Sequence, residues 1–166
     1  MINLTTKERL LLEDEKSHEE LCVSKYKDYA TKASDPELKN LFNQIAQHEQ
    51  QHLNSINQLL SGVVPNVNQQ QGQGSQQSQQ QNSMPNLSSS SMPNLQMNQG
   101  SRYNQNDKML CQDCLSTEKY VSSTYNTTIF EFKDTNARQV LNHIQKEEQE
   151  HGYQIYDYMS KHGMYN

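Results

Sequence analysis

Two short stretches decide the fold of this 166-residue chain: IAQHEQQH at residues 45–52 and IQKEEQEH at residues 144–151. Each contains a Glu and a His three positions apart, and the second stretch follows the first after a shift of 99 residues. The same shift, without a gap, pairs Glu19 with Glu118. Identical polar residues that recur at one constant distance along the chain indicate a duplicated structural unit. The chain is therefore expected to contain the same element twice.

Each unit is predicted to be a hairpin of two long helices. Apolar residues recur every three or four positions, which is typical of the buried face of a helix. Thr5 begins a capping box in front of the first helix, and Asp35 is placed to cap the second. In the second unit, Asn106 or Asp107 is the candidate cap of the third helix, and Asp134 that of the fourth. Short breaks between long helices predict antiparallel pairs.

The segment 63–106 differs in composition from both hairpins. It consists almost entirely of Gln, Asn, Ser, Gly, Pro and Met, and such a segment cannot bury enough apolar surface to offset the entropy of ordering. We predict a disordered linker between hairpins at 1–62 and 107–166. A flexible chain of this length spans about 35–40 Å, close to the length of a helix of about 27 residues. The predicted fold is all-α, a ferritin-like four-helix bundle of two repeated hairpins joined by a long crossover.

Charge and hydropathy exclude several classes of protein. The net charge of −5 and the isoelectric point near 5.6 give no basic surface for a nucleic acid. No apolar run approaches the roughly 18 residues of a membrane span, and the first ten residues lack the apolar core of a secretion signal. Three cysteines are too few for a disulfide framework. We expect a protein made in the cytoplasm that uses neither a membrane nor a nucleic acid as a partner.

The repeated Glu-x-x-His motifs predict a metal centre. A spacing of three residues places a carboxylate and an imidazole on one helix face, so both reach the same ion. Each partner helix adds one Glu on its apolar face, where an unpaired charge would be costly. Four carboxylates and two imidazoles suit two Fe or Mn ions. The predicted ligands are Glu19, Glu49, His52, Glu118, Glu148 and His151. A remnant of such a site, or a water-filled polar layer, is the alternative.

Three further residues near these motifs are candidates for a role in the site. Tyr26 follows Glu19 by seven positions, and Tyr125 follows Glu118 by the same number. Each phenol could therefore donate a hydrogen bond to a ligand carboxylate of a neighbouring helix. The alternative is that both tyrosines simply fill the core. Glu15 lies one turn before Glu19 and is a candidate additional ligand.

Other polar residues and the cysteines are assigned no role in the site. Glu147, Glu150 and His48 fall off the apolar stripe and are predicted to be surface residues. Cys111 and Cys114 form a single pair, and one pair cannot complete a tetrahedral zinc site. No strand precedes them, as a thioredoxin-like motif requires. They are predicted to be small, buried core residues.

The doubled ligand pattern resembles that of rubrerythrins and other ferritin-like di-iron proteins. In each half a Glu is followed by a Tyr seven residues later, an Asp at a turn and a Glu-x-x-His motif. The resemblance covers both hairpins and implies a di-iron ligand set. The residues that carry it are Glu19, Tyr26, Glu49 and His52 in the first hairpin and Glu118, Tyr125, Glu148 and His151 in the second. The rubredoxin-like iron site of rubrerythrins, which needs two Cys pairs, has no counterpart here.

A second resemblance is to the spore coat protein F family of spore-forming bacteria. The stretches 10–16 and 34–38 are similar to that family's helix starts, and residues 158–165 are similar to its Tyr-Met-x-x-x-Gly-x-Tyr ending. This resemblance implies a ferritin-like fold, a location in the spore coat, and other coat proteins or further copies of the chain as partners. Complete metal ligands are a departure from what is expected of the family.

Together, the two resemblances favour a coat F-like protein with a retained dinuclear Fe or Mn site. Such a site could remove peroxide or dioxygen, as a peroxidase or a catalase-like oxidoreductase does. Two alternatives remain open from the sequence. One is a purely structural coat protein without metal, and the other is a cytoplasmic rubrerythrin-like redox protein. Whether the protein is an enzyme is therefore not decided by the sequence.

Overall fold

Four helices make up the regular structure of the chain in a computed structural model, which describes residues 1–66 and 103–165. They are α1 (Thr6–Lys32), α2 (Pro36–Leu60), α3 (Gln105–Glu131) and α4 (Thr135–Lys161). The all-α prediction of two helical hairpins is confirmed, and no strand occurs within the described residues. Most of the predicted disordered linker, residues 67–102, lies outside them.

All four helix starts follow local capping chemistry, and one cap differs from its predicted position. Thr5 forms the predicted capping box with Glu8, and Asp35 and Asp134 cap α2 and α4. The cap of α3 was predicted at Asn106 or Asp107 but is Asn104, whose side chain accepts from the backbone amides of both residues. The prediction placed the cap two or three residues too late because all three side chains can cap a helix.

The helices pack as an antiparallel bundle. Neighbours along the chain form hairpins, and the hairpins meet through α1 against α3 and α2 against α4. Lys25, near the end of α1, reaches Asp113 near the start of α3, so these two helices are antiparallel. The backbone amide of Ile2 donates to the carbonyl of Gly62 at 2.8 Å, which places the end of α2 beside the start of α1. Because α3 begins at the opposite end of the bundle, the connection between the hairpins is a crossover.

Apolar side chains fill the bundle on both sides of its midpoint. The rings of Tyr26 and Phe42 lie 5.7 Å apart in this core. All three cysteines are buried and unpaired, which confirms Cys111 and Cys114 as core residues. The largest fully buried apolar side chains besides the tyrosines are Leu12, Leu38, Phe42, Ile45, Ile56, Leu59, Phe132, Leu141, Ile144 and Ile155. Among the described residues, no helix combines the length and apolarity needed to cross a membrane.

Two buried carboxylates join the hairpins at opposite ends of the bundle. Glu8 of α1 accepts a hydrogen bond from the backbone amide of Lys133, in the turn between α3 and α4. Asp107 of α3 accepts from the backbone amides of Ser34 and Asp35, in the turn between α1 and α2. Glu8 and Asp107 are related by the same 99-residue shift that relates the two halves. A carboxylate of each hairpin therefore accepts backbone hydrogen bonds from the turn of the other hairpin.

Removing the Asp107 carboxylate is expected to destabilise the bundle. In Asp107→Ala the amides of Ser34 and Asp35 lose a charged acceptor, which should lower the free energy of unfolding by about 2–3 kcal/mol. Chemical denaturation of the full chain measures this change. The control is Asp28→Ala, which removes an exposed ion pair with Lys32 and should cost no more than about 0.5 kcal/mol. Equal losses in the two variants would contradict the role given to Asp107.

Candidate metal centre

Six buried polar side chains meet at the midpoint of the bundle. Each helix contributes a Glu near its middle, and α2 and α4 each add a His one turn later. All six side chains are at most 2% exposed. The helical spacing explains the convergence, since residues three positions apart share a face. The residues brought together are the six predicted from the sequence: Glu19, Glu49, His52, Glu118, Glu148 and His151.

Their donor atoms form two overlapping groups. One group contains Glu19 and His52, and the other contains Glu118 and His151. Both groups include Glu49 and Glu148, and the donor atoms within each group lie within 4.8 Å of one another. Two carboxylates shared between two sets of terminal ligands are the arrangement of a dinuclear carboxylate site.

Eight side-chain atoms at this midpoint are buried without a hydrogen-bond partner among the described residues. All belong to the six residues, and they include both oxygens of Glu49 and of Glu148. The Nδ1 atoms of His52 and His151 lie 2.8 and 2.9 Å from Glu148 and Glu49 but are not aligned to donate to them. Unsatisfied buried polar atoms are costly, so a cluster of eight calls for a compensating ligand. The donor atoms present fit cations.

The two predicted tyrosines contact carboxylates across the hairpin interface. The hydroxyl of Tyr26 donates to Oε1 of Glu118, and that of Tyr125 donates to Oε1 of Glu19. Both phenols are fully buried, and burial raises the pKa of each well above its ordinary value, with the nearby Glu charge adding to the effect. Each phenol therefore stays protonated and orients one carboxylate. In each case Oε2 of the same Glu has no hydrogen-bond partner and lies 3.7 Å from Nδ1 of a central histidine.

The outer nitrogens of the two histidines are held by residues that were predicted to lie at the surface. Nε2 of His52 lies 2.8 Å from Oε2 of Glu147, which is only 30% exposed. Nε2 of His151 lies 3.2 Å from Nδ1 of His48. His48 is exposed, as predicted, and Glu147 is half-buried. The two contacts themselves were not predicted, because the partners belong to the facing helix. Glu150 is exposed, as predicted.

Glu15 belongs to neither group of donor atoms. Its side chain is 1% exposed, and its oxygens accept from Thr128 at 2.7 Å and Thr124 at 2.9 Å. The ring of His18 is also close, with Nδ1 3.2 Å from Oε2. The hypothesis of an additional ligand is therefore not supported, since threonines of α3 occupy both oxygens. Its sequence position did not reveal this, because the threonines lie more than 100 residues away.

Burial and neighbouring charges shift the pKa values within the central cluster in conflicting directions. Burial raises the pKa of Glu19 to about 7 and, with the charge of Glu49, raises the pKa of Glu148 well above its ordinary value. Burial also opposes ionisation of Glu49, but the imidazoles of His151 and His52 outweigh it and lower its pKa. Neighbouring carboxylates outweigh burial at both histidines and raise their pKa values, that of His151 to about 10. Bound cations would displace these protons.

A cavity of about 250 Å³ opens between α1 and α3 beside the centre. Leu21 and Tyr120, more than half exposed, line it, and Cys22 and Val121 are its buried lining residues. Burial, followed by the charges of the four central carboxylates, raises the pKa of the Cys22 thiol. That thiol therefore stays protonated. Cys22 and Val121 lie one turn beyond Glu19 and Glu118 on their helices, and none of the six central residues lines the cavity itself.

Comparison with known proteins connects the second hairpin to a family. A model of the Coat F domain matches residues 106–166, which include nearly all of α3 and all of α4. No curated protein and no solved structure matches the chain. The second hairpin is thus similar to the Coat F domain. The match includes Glu118, Glu148 and His151, whereas the equivalent residues of the first hairpin lie outside it.

Proposed function

We propose that this chain is a coat F-like protein of the bacterial spore coat that holds two Fe or Mn ions at the centre of its bundle. The match of residues 106–166 to the Coat F domain supports the coat assignment. The observation that carries the metal assignment is the convergence of eight buried donor atoms that have no hydrogen-bond partner, from six side chains.

The residues present fit such a pair of ions in type and in charge. Carboxylate oxygens and imidazole nitrogens are ligands common to Fe and Mn. Four ionised carboxylates balance the charge of two divalent ions, and two neutral histidines complete the set. The carboxylates of Glu49 and Glu148 would bridge the ions, while Glu19 with His52 and Glu118 with His151 would be terminal ligands.

The surrounding residues orient these ligands and limit access. Tyr26 and Tyr125 each hold one oxygen of a terminal carboxylate and keep a proton next to the centre. The apolar core excludes water on both sides of the midpoint. Bound Fe or Mn would supply redox equivalents for a reaction with peroxide or dioxygen. The cavity between α1 and α3, whose buried lining residues Cys22 and Val121 lie one turn from Glu19 and Glu118, is the side from which such small molecules would approach.

The partners of this protein would be other coat proteins or further copies of the chain. Several large apolar side chains are exposed on α1 and α3, and they support a role in protein contacts. Leu10 is 56% exposed and Phe130 is 74% exposed. If the protein is a coat component, the full chain produced in a spore-forming host should be recovered in the coat fraction of purified spores. Its recovery only in the soluble fraction of the mother cell would contradict this assignment.

The redox assignment is tested by consumption of peroxide and dioxygen. The full chain, loaded anaerobically with Fe(II) or Mn(II), should consume one of these oxidants faster than the same concentration of free ions. Glu49→Gln should lose this advantage, because it removes one bridging carboxylate. Glu150→Gln is the matched control, since it changes the same charge at an exposed site one residue away from His151. A loaded chain no faster than free ions would leave a structural coat protein as the better account.

A further inference from the structure

The two halves of the site differ at the residues that contact the outer nitrogens, Nε2, of His52 and His151. Positions 48 and 147 are equivalent under the 99-residue shift, but one is His48 and the other is Glu147. Glu147 contacts the outer nitrogen of His52, and His48 contacts the outer nitrogen of His151. The two imidazoles are otherwise alike, because each turns Nδ1 towards the centre. The groups that support them differ in charge.

This difference bears on how strongly each imidazole donates electrons. A neutral imidazole that binds an ion through Nδ1 carries its proton on Nε2. His52 would donate that proton to the carboxylate of Glu147 at 2.8 Å. His151 would donate to the imidazole of His48 at 3.2 Å, and an imidazole is never an anion there as a carboxylate is. A carboxylate behind a metal-bound histidine raises its basicity and typically strengthens metal binding by about 10–100-fold.

A second departure from symmetry acts in the same direction. Position 15 is Glu15, and its equivalent at position 114 is Cys114; both are buried. Glu15 lies one turn before Glu19 and accepts from Thr124 and Thr128, which flank Tyr125 on α3. Cys114 lies at the equivalent place, one turn before Glu118. Both departures therefore place an additional carboxylate on the side of the centre formed by Glu19 and His52.

We infer that the two metal positions are inequivalent, that the position formed by Glu19 and His52 binds its ion more tightly than that formed by Glu118 and His151, and that Glu147 is the positioning residue chiefly responsible. This inference rests on the proposed dinuclear site. It predicts ordered loading, in which a chain given one equivalent of metal holds it mainly at the Glu19 and His52 position.

Two substitutions test the inference, and each gives one supporting residue the identity of the other: Glu147→His and His48→Glu. Calorimetric titration of the metal-free full chain with Mn(II) should show two steps whose dissociation constants differ by about 10–100-fold. Glu147→His should weaken the tight step by about this factor and bring the two steps together. His48→Glu should tighten the weak step by a similar factor, a gain that misfolding cannot produce. Glu150→Gln, which changes a charge on the same helix at the surface, should leave both steps unchanged.

Electron paramagnetic resonance at one equivalent of Mn(II) gives a second readout. The unaltered chain should show mainly the signal of isolated Mn(II), because one position fills first. In Glu147→His the two affinities become similar, so a larger fraction of the bound Mn(II) should occur as coupled pairs. Two bound ions whose affinities do not respond to either exchange would overturn the inference and leave the dinuclear site intact. Equal weakening of both steps in Glu147→His would also overturn it, since that result indicates general damage. No binding at all would refute the site itself.

Discussion

Replacing Glu148 with alanine is expected to remove both metal ions, whereas replacing Glu19 with alanine is expected to remove one. Glu148 belongs to both groups of donor atoms, and Glu19 belongs to only one. Loss of a bridging carboxylate also leaves the positive charges of the two ions less screened from each other. Elemental analysis of the full chain, purified without chelator, should therefore fall from about two ions to nearly none in Glu148→Ala, and to about one in Glu19→Ala.

The surface variant Glu150→Ala is the control for this comparison. Its side chain is 55% exposed and pairs with Lys146 on the same helix, so the metal content should stay at about two. A Glu148→Ala chain that keeps a full ion would contradict the bridging role. Equal metal loss in Glu19→Ala and Glu148→Ala would show that the two groups of donor atoms do not correspond to two separate ion positions.

Metal binding is expected to raise the stability of the bundle by a large amount. In the metal-free chain, four carboxylates and two imidazoles are buried, and eight of their atoms have no hydrogen-bond partner. An ion that binds only the folded state at a concentration 100 times its dissociation constant contributes about 2.7 kcal/mol, so two ions contribute about 5 kcal/mol. For a protein of this size the midpoint of thermal unfolding should rise by about 10–20 °C.

Thermal unfolding of the full chain with added Mn(II), and again after chelation, measures this effect. The shift should be reversed by the chelator and should be absent in Glu148→Ala, which lacks a carboxylate common to both groups of donor atoms. Asp107→Ala offers a useful contrast, since it should lower the midpoint with and without metal by the same amount. A midpoint that does not respond to Mn(II) or Fe(II) would favour a polar layer without metal, one of the alternatives left open by the sequence.

The duplication explains why so much of the centre could be predicted from one sequence. Helical spacing fixes Glu49 and His52 on one face, and the constant shift of 99 residues requires Glu148 and His151 to occupy equivalent places. The structure brings these residues together because two equivalent hairpins pack face to face. Local patterns also predicted the caps at Thr5 and Asp35, where the partners lie within three residues.

The features that sequence reasoning missed depend on partners in the other hairpin. Glu8 was predicted only as part of a capping box and Asp107 only as a candidate helix cap, yet each accepts hydrogen bonds from a turn more than 70 residues away. Glu147 and His48 lie beside the apolar stripe, and only the packing of α2 against α4 directs them to the histidines. The 99-residue shift did contain a signal, because it pairs Glu8 with Asp107 and His48 with Glu147.

A polar layer in the middle of the bundle is costly to stability unless a ligand binds there. Every helix has a buried Glu near its middle, and buried apolar residues lie above and below this layer in the bundle. A structural coat protein has no need of this arrangement, since well-packed apolar residues are as stabilising or more so. The cost of the layer is therefore the physical reason to expect a metal-dependent role in addition to a role in the coat.

The most direct test of the dinuclear site is anomalous X-ray diffraction from crystals of the Mn(II)-loaded full chain. The account predicts two anomalous peaks at the bundle midpoint, separated by about 3.5–4 Å, with Glu49 and Glu148 between them. One peak should lie next to His52 and the other next to His151. The absence of anomalous density at the midpoint, with ordered water in contact with the six side chains instead, would contradict the account.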